Sequence, residues 1–179
     1  MRRTAILFAT ASAMAVCAIT TSSYAATYAI EFLTAQGGAS DMNNAGTVTG
    51  TELTVGWCPE PYPSCYSTST TVVWKRGVAT PIPLPAPAGL DHLSARDINT
   101  AGWIAGTASS YYVDFAPRSV VWKPSATGYT VQELGMLPKT TIARVAGIDD
   151  TNRVVGYNMT TSLVSPDAAP FLWDPVNGL

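Results

Sequence analysis

One nine-residue phrase is written three times in this chain, and it constrains the fold more than any other feature. Met42-Asn43-Asn44-Ala45-Gly46-Thr47-Val48-Thr49-Gly50 recurs as Ile98-Asn99-Thr100-Ala101-Gly102-Trp103-Ile104-Ala105-Gly106. It recurs again as Ile148-Asp149-Asp150-Thr151-Asn152-Arg153-Val154-Val155-Gly156. Each copy is followed by an apolar pair and a tryptophan: Val72-Val73-Trp74, Val120-Val121-Trp122 and Phe171-Leu172-Trp173. With phrases starting at positions 42, 98 and 148, the unit is about 50 residues long. Self-similarity at a fixed period of this size is the signature of a repeat architecture.

The phrase reads as a hairpin. Ala95 to Ile98 has the pattern of a short strand, Asn99 to Gly102 that of a tight turn, and Trp103 to Ala105 that of the return strand. A leading Asn caps such a turn with its side chain, and a closing Gly takes the left-handed backbone conformation. In the third copy Asp149 replaces the leading Asn and Asn152 replaces the Gly. Turn chemistry permits both replacements, because Asn tolerates positive φ better than other side chains.

The tryptophan segments form a third strand, apolar on both alternating faces, and are expected to be covered on both sides. A fourth strand is expected before each hairpin. Tyr28 to Leu33 matches Tyr129 to Leu134 almost position by position, and Pro81-Ile82-Pro83-Leu84 is a weaker, proline-broken version. Proline places that strand at an edge. Four short strands per unit of about 50 residues predict an all-β protein of three propeller-blade-like, four-stranded repeats. The units expected are 28–74, 77–122 and 129–173. A sandwich or solenoid is the rival architecture. Three units fall short of the four to eight that close a propeller. The sequence therefore predicts an open or incomplete ring: a truncated member, a fragment, or a chain that self-associates through its open blade edges.

These residues carry a resemblance. Ala-x-x-Ile-Asn-x-x-Gly-x-Val-x-Gly, an aromatic-Trp strand and Leu-Gly-x-Leu together resemble the bacterial extracellular HAF repeat, here at Ala95 to Gly106, Val120 to Trp122 and Leu134-Gly135-Met136-Leu137. The resemblance runs from about Tyr28 onward. The family's His-Ala-Phe before the tryptophan is absent, and Ala169-Pro170-Phe171 is the nearest version. The resemblance implies a secreted or cell-surface propeller-like domain of undefined biochemical role, with no catalytic residues to carry over.

The chain's start fits export. Arg2 and Arg3, the apolar stretch from Ala5 to Ile19 and Ser23-Tyr24-Ala25 read as a secretory signal peptide over 1–25, with the repeat domain over 26–179. The apolar run is too short for a membrane span, which takes roughly 18 residues or more. Val16 stands where a lipoprotein signal at Cys17 needs a small residue. The formal net charge is −2 and no basic patch is evident, so nucleic acid and membrane are not expected partners. Cys58 and Cys65, close together in a proline-rich stretch, are expected to form a disulfide in an oxidising compartment.

Catalytic signatures are sparse. His92 is the single imidazole, and no nucleophile elbow accompanies it. Asp149-Asp150 is the one adjacent acidic pair and sits in a turn. Asp41 and Asp97 share a repeat position that is Gly147 in the third copy. No zinc spacing or calcium loop is present, so no metal or cofactor is expected. Trp74, Trp122 and Trp173 read as core. Trp57, Tyr62 and Tyr66 lie beside the two cysteines and are the ligand-contact candidates; Tyr111, Tyr112 and Tyr157 are further exposed aromatics. The function expected is a non-catalytic module that binds a protein or glycan through its loops, or serves a structural role. The alternative is an extracellular polysaccharide hydrolase or lyase on a propeller scaffold.

Overall fold

A computed structural model describes residues 33–34, 36–55, 67–110, 116–160 and 168–179. The chain divides into two units, Met1–Leu33 and Thr34–Leu179. Every strand described here belongs to the second unit. The expected signal peptide lies outside the described residues.

The unit is all-β, with three antiparallel sheets and no helix among the described residues. The first sheet has β1 (Gly37–Met42), β2 (Val48–Val55), β3 (Ser67–Trp74) and β4 (Ile82–Pro83), in that order. The middle sheet has β5 (His92–Ile98), β6 (Ile104–Ser109), β7 (Arg118–Ser125) and β8 (Gly128–Glu133). The third has β9 (Ile142–Ile148), β10 (Val154–Met159) and β11 (Ala168–Trp173). None of them closes on itself. This is the expected open set of blade-like repeats.

The hairpin turns follow the sequence pattern closely. Gly46, Gly102 and Asn152 all have positive φ, at 75°, 80° and 66°. Each amide bonds back to the carbonyl of the turn's first residue, Asn43, Asn99 or Asp149, at 2.9, 2.9 and 3.0 Å. The side-chain caps are equally regular. Asn43 Oδ1 accepts from Thr47 N at 3.0 Å, Asn99 Oδ1 from Trp103 N at 2.9 Å, and Asp149 Oδ1 from Arg153 N at 2.9 Å.

Each first strand carries one extra residue opposite its partner: Ser40, Arg96 and Ala146. Such bulges re-aim the side chains beside them. Opposite the bulge stands the repeat's second glycine. A Cβ on Gly50, Gly106 or Gly156 would lie 2.1, 2.2 or 2.2 Å from a neighbouring backbone oxygen, and rings of Trp74, Trp122 and Phe171 press on the same three sites. Only glycine fits there.

Alternation along the central strands builds two cores. Ile98, Ile104, Val120 and Trp122 of the middle sheet pack with Val73 and Leu84 of the first. Ala105 and Val121, on the opposite face, pack with Val145, Val154, Phe171 and Trp173 of the third. All three repeat tryptophans are core residues. Trp122 also donates from Nε1 to the Pro85 carbonyl at 2.8 Å.

Two expectations need correction. The fourth strand belongs to the sheet before its hairpin, not the one after: β4 pairs with β3, and β8 with β7. The first two sheets therefore run one strand out of phase with the sequence repeat, because the chain turns after Trp74 and again after Ser125 and folds back onto the edge just made. Coverage on both faces also fails in the third repeat. Leu172 is 53% exposed, since no described sheet packs beyond it. His92 opens β5 and is exposed.

Candidate functional site

The most chemically distinctive cleft lies between the middle and third sheets. It has a volume of about 380 Å³ and is lined by Ser94, Arg96, Thr107, Arg144, Val145, Ala146 and Tyr157. Local structure explains the set. Ser94 faces Thr107 across β5 and β6. Arg144 faces Tyr157 across β9 and β10. Arg96 is the extra residue of the middle bulge, so its side chain is offset from the ladder's regular alternation. Two guanidinium groups and three hydroxyl-bearing side chains thus line one cleft.

Its electrostatics are one-sided. Among the described residues no carboxylate lines the cleft, and neither Arg96 nor Arg144 makes an ion pair. In a chain of net charge −2 this is a local concentration of cationic donors. Guanidinium forks bind carboxylate, sulfate or phosphate with two parallel hydrogen bonds, and hydroxyls add further donors. Among the described residues its lining contains no His, Cys, Asp or Glu, the groups that most often serve in proton transfer or nucleophilic attack.

A second cleft, of about 410 Å³, runs along the three hairpin turns. It is bound internally by a ladder. Asn43 Nδ2 donates to the Asn99 carbonyl at 3.0 Å, and Asn99 Nδ2 to the Asp149 carbonyl at 2.9 Å and to Asn152 Oδ1 at 2.8 Å. Beside it, Asp41 accepts from Ile98 N–H at 2.9 Å, and Asp97 from Ile148 N–H at 2.7 Å. The two carboxyls interact. Burial pushes Asp97 upward, the neighbouring Asp41 adds to this, and the Ile148 amide offsets part of it. Burial acts the same way on Asp41, but the Ile98 amide, the Asp97 carboxyl and the Met42 amide outweigh it and leave Asp41 below its ordinary value. On acidification Asp97 therefore takes up its proton before Asp41. The shared repeat position of these two aspartates tethers one sheet to the next.

Asp149-Asp150 is turn chemistry, as its position predicted. Asp149 bonds to Thr151 and Arg153, which hold its carboxyl well below the usual range. Asp150 Oδ1 accepts from Thr100 N in the adjacent turn at 2.9 Å. Among the described residues, no three His, Cys, Asp or Glu side chains gather as a metal site would require.

Trp57, Cys58, Tyr62, Cys65 and Tyr66 lie within 56–66, outside the described residues, as do Tyr111 and Tyr112. Of the aromatics expected at a contact surface, Tyr157 is the one placed in the cleft. Arg96 and Arg144 are the residues that sequence reasoning missed. Their signal was a charged side chain on the first strand of two consecutive repeats.

Comparison with protein-family models, with curated proteins and with solved structures found no match. The resemblance to HAF repeats therefore rests on the motifs quoted from the sequence.

Proposed function

We propose that this protein is a secreted or cell-surface module of HAF-repeat type that binds an acidic glycan without turning it over. The observation that carries the reading is the pairing of Arg96 and Arg144 in a hydroxyl-lined cleft that, among the described residues, holds no competing carboxylate. A uronate carboxylate or a sulfate ester meets the guanidiniums, and Ser94, Thr107 and Tyr157 meet sugar hydroxyls. The exposed face of Tyr157 adds a surface on which a sugar ring can stack. Hydrolysis or lyase chemistry needs acid and base groups converging on substrate. The interacting carboxyls Asp41 and Asp97 are tied to backbone amides instead.

Calorimetry with oligouronides, sulfated oligosaccharides and neutral oligosaccharides tests this. Binding is expected for an acidic class and not for the neutral one, weakening as salt rises. Arg96→Gln with Arg144→Gln is expected to reduce affinity by at least roughly tenfold, from the loss of charge-assisted bonds. Equal binding of neutral glycans, unchanged affinity in the double variant, or release of reducing ends from a polysaccharide would each refute the reading.

A further inference from the structure

The two internal joints between sheets are built alike. The back of one sheet presents a cross-strand pair, Thr49 with Val73 or Ala105 with Val121, and all four residues are fully buried. The front of the next sheet presents three residues at fixed repeat positions. In the middle sheet these are Ala95, Ile98 and Ile104, all buried.

The molecule carries one more of each half; the back half is exposed, and of the three front residues Ala39 and Met42 are exposed while Val48 is half-buried. On the back of the third sheet the corresponding pair is Val155 with Leu172, 46% and 53% exposed. They border a cleft of about 370 Å³ that also reaches Asp97, Gly147, Ile148, Asp149 and Arg153. On the front of the first sheet, Met42 stands where Ile98 stands in the middle sheet, and it is 63% exposed. Ala39, which matches Ala95, is exposed beside it. Val72 and Trp74, on the same face but on β3, are buried. The free front is therefore the strip along β1.

We propose that two copies of this chain join head to tail, the back of each third sheet seating on the β1 strip of the other copy's first sheet. The occupant is argued from continuity. Both halves of the recurring joint stand free on one molecule, and the free pair is the most apolar of the three. Two copies bring six sheets together, within the four to eight that close a propeller. A front-to-back contact that closes after two copies gives a ring rather than a fibre.

The joint differs from the internal ones in its polar part. Gly147 replaces the tethering aspartate, and Asp149 has no amide to donate forward. The contact therefore rests on apolar burial and is reversible. It is separate from the cleft holding Arg96 and Arg144, so either reading can fail alone.

Size exclusion with light scattering, over a concentration series, is expected to show a mass of two chains that falls to one on dilution. Val155→Asp with Leu172→Glu, both at exposed positions, is expected to weaken association at least tenfold, with circular dichroism unchanged. A Met42→Cys chain mixed with a tagged Leu172→Cys chain is expected to form a mixed disulfide-linked species. A monomer at every soluble concentration, an open-ended polymer, or cross-links only between like chains would overturn the proposal.

Discussion

The middle and third sheets start from the same repeat and end in different environments. In the middle sheet Ala105 and Val121 are fully buried; in the third, their counterparts Val155 and Leu172 are about half exposed. The polar groups differ in the same direction. Asp97 reaches forward to the Ile148 amide, and Gly147 at the matching position has no side chain to do so. Asn99 donates forward to the Asp149 carbonyl. Asp149 turns its carboxylate inward to Arg153, with the ion pair at 2.7 Å. The repeat thus contains two separable instructions: one makes a sheet, the other fastens it to the next. The third copy keeps the first and omits the polar half of the second.

Gly147 does more than omit a bond. A Cβ there would sit 2.9 Å from Asp97 Oδ2. The glycine leaves room for the carboxylate that tethers the third sheet. A third aspartate would also extend a pair of carboxyls that already interact. Glycine at this position is thus part of making the Asp97 tether work.

The sharpest way to break this comparison is one substitution at matched positions. Val121→Asp puts a carboxylate into a fully buried site between two sheets and is expected to cost more than about 4 kcal/mol, enough to unfold a domain of this size. Leu172→Asp, at the equivalent position on the exposed face, is expected to change stability by no more than about 0.5 kcal/mol in the dissociated chain. Urea unfolding at low protein concentration compares them. Equal losses would mean that the two faces are not in different environments.

What the sequence made legible is what depends on near neighbours. The positive φ at Asn152 and the caps by Asn43, Asn99 and Asp149 follow from a few adjacent residues, and the structure matches them. The tryptophan core was legible because matched positions in a repeat share an environment. What depends on the next unit was not. Leu172 and Val121 have the same local pattern, and only the presence or absence of a following sheet separates them. The likeness of Tyr129–Leu134 to an earlier segment identified a strand, but not the sheet whose edge it joins. Arg96 and Arg144 are nearly 50 positions apart and meet across a joint between sheets. The bulge that offsets Arg96 is a register shift of one residue, which period-2 alternation does not reveal.

A smaller effect sharpens the account of the tether. Asp97→Ala removes the acceptor for the Ile148 amide and is expected to cost about 1–2 kcal/mol, the range for leaving a partly buried donor unpaired. Asp97→Asn keeps an acceptor and removes the charge. Because burial and Asp41 raise the Asp97 pKa, ionising Asp97 in the folded state is unfavourable. Its contribution is fully present at low pH and is lost as pH rises through its folded value. Asp97→Asn is therefore expected to be at least as stable as the parent at neutral pH, and to lose that advantage below the ordinary carboxylate range. Denaturant midpoints at pH 7 and pH 3 check both variants. A loss in Asp97→Asn at pH 7 matching that of Asp97→Ala would show that the charge itself carries the tether.

The smallest expected effect concerns the turn that ends the ladder. Asp149→Asn restores the residue type of the first two copies and keeps an oxygen to accept from the Thr151 and Arg153 amides. It loses only the exposed ion pair to Arg153, and exposed pairs contribute little. The drop in Tm at neutral pH should be smaller than for Asp97→Ala. Acid separates the variants by sign. Bonds from Thr151 and Arg153 lower the Asp149 pKa. Its contribution is therefore present above the unfolded carboxylate value, near about 4, and is lost as pH falls through the folded value. The parent chain should lose more Tm than Asp149→Asn on acidification through that range. If both variants lose the same amount, the carboxylate at position 149 is only a turn cap, interchangeable with the Asn43 and Asn99 it replaces. In that case the difference between the turns of the middle and third sheets reduces to the missing forward donor.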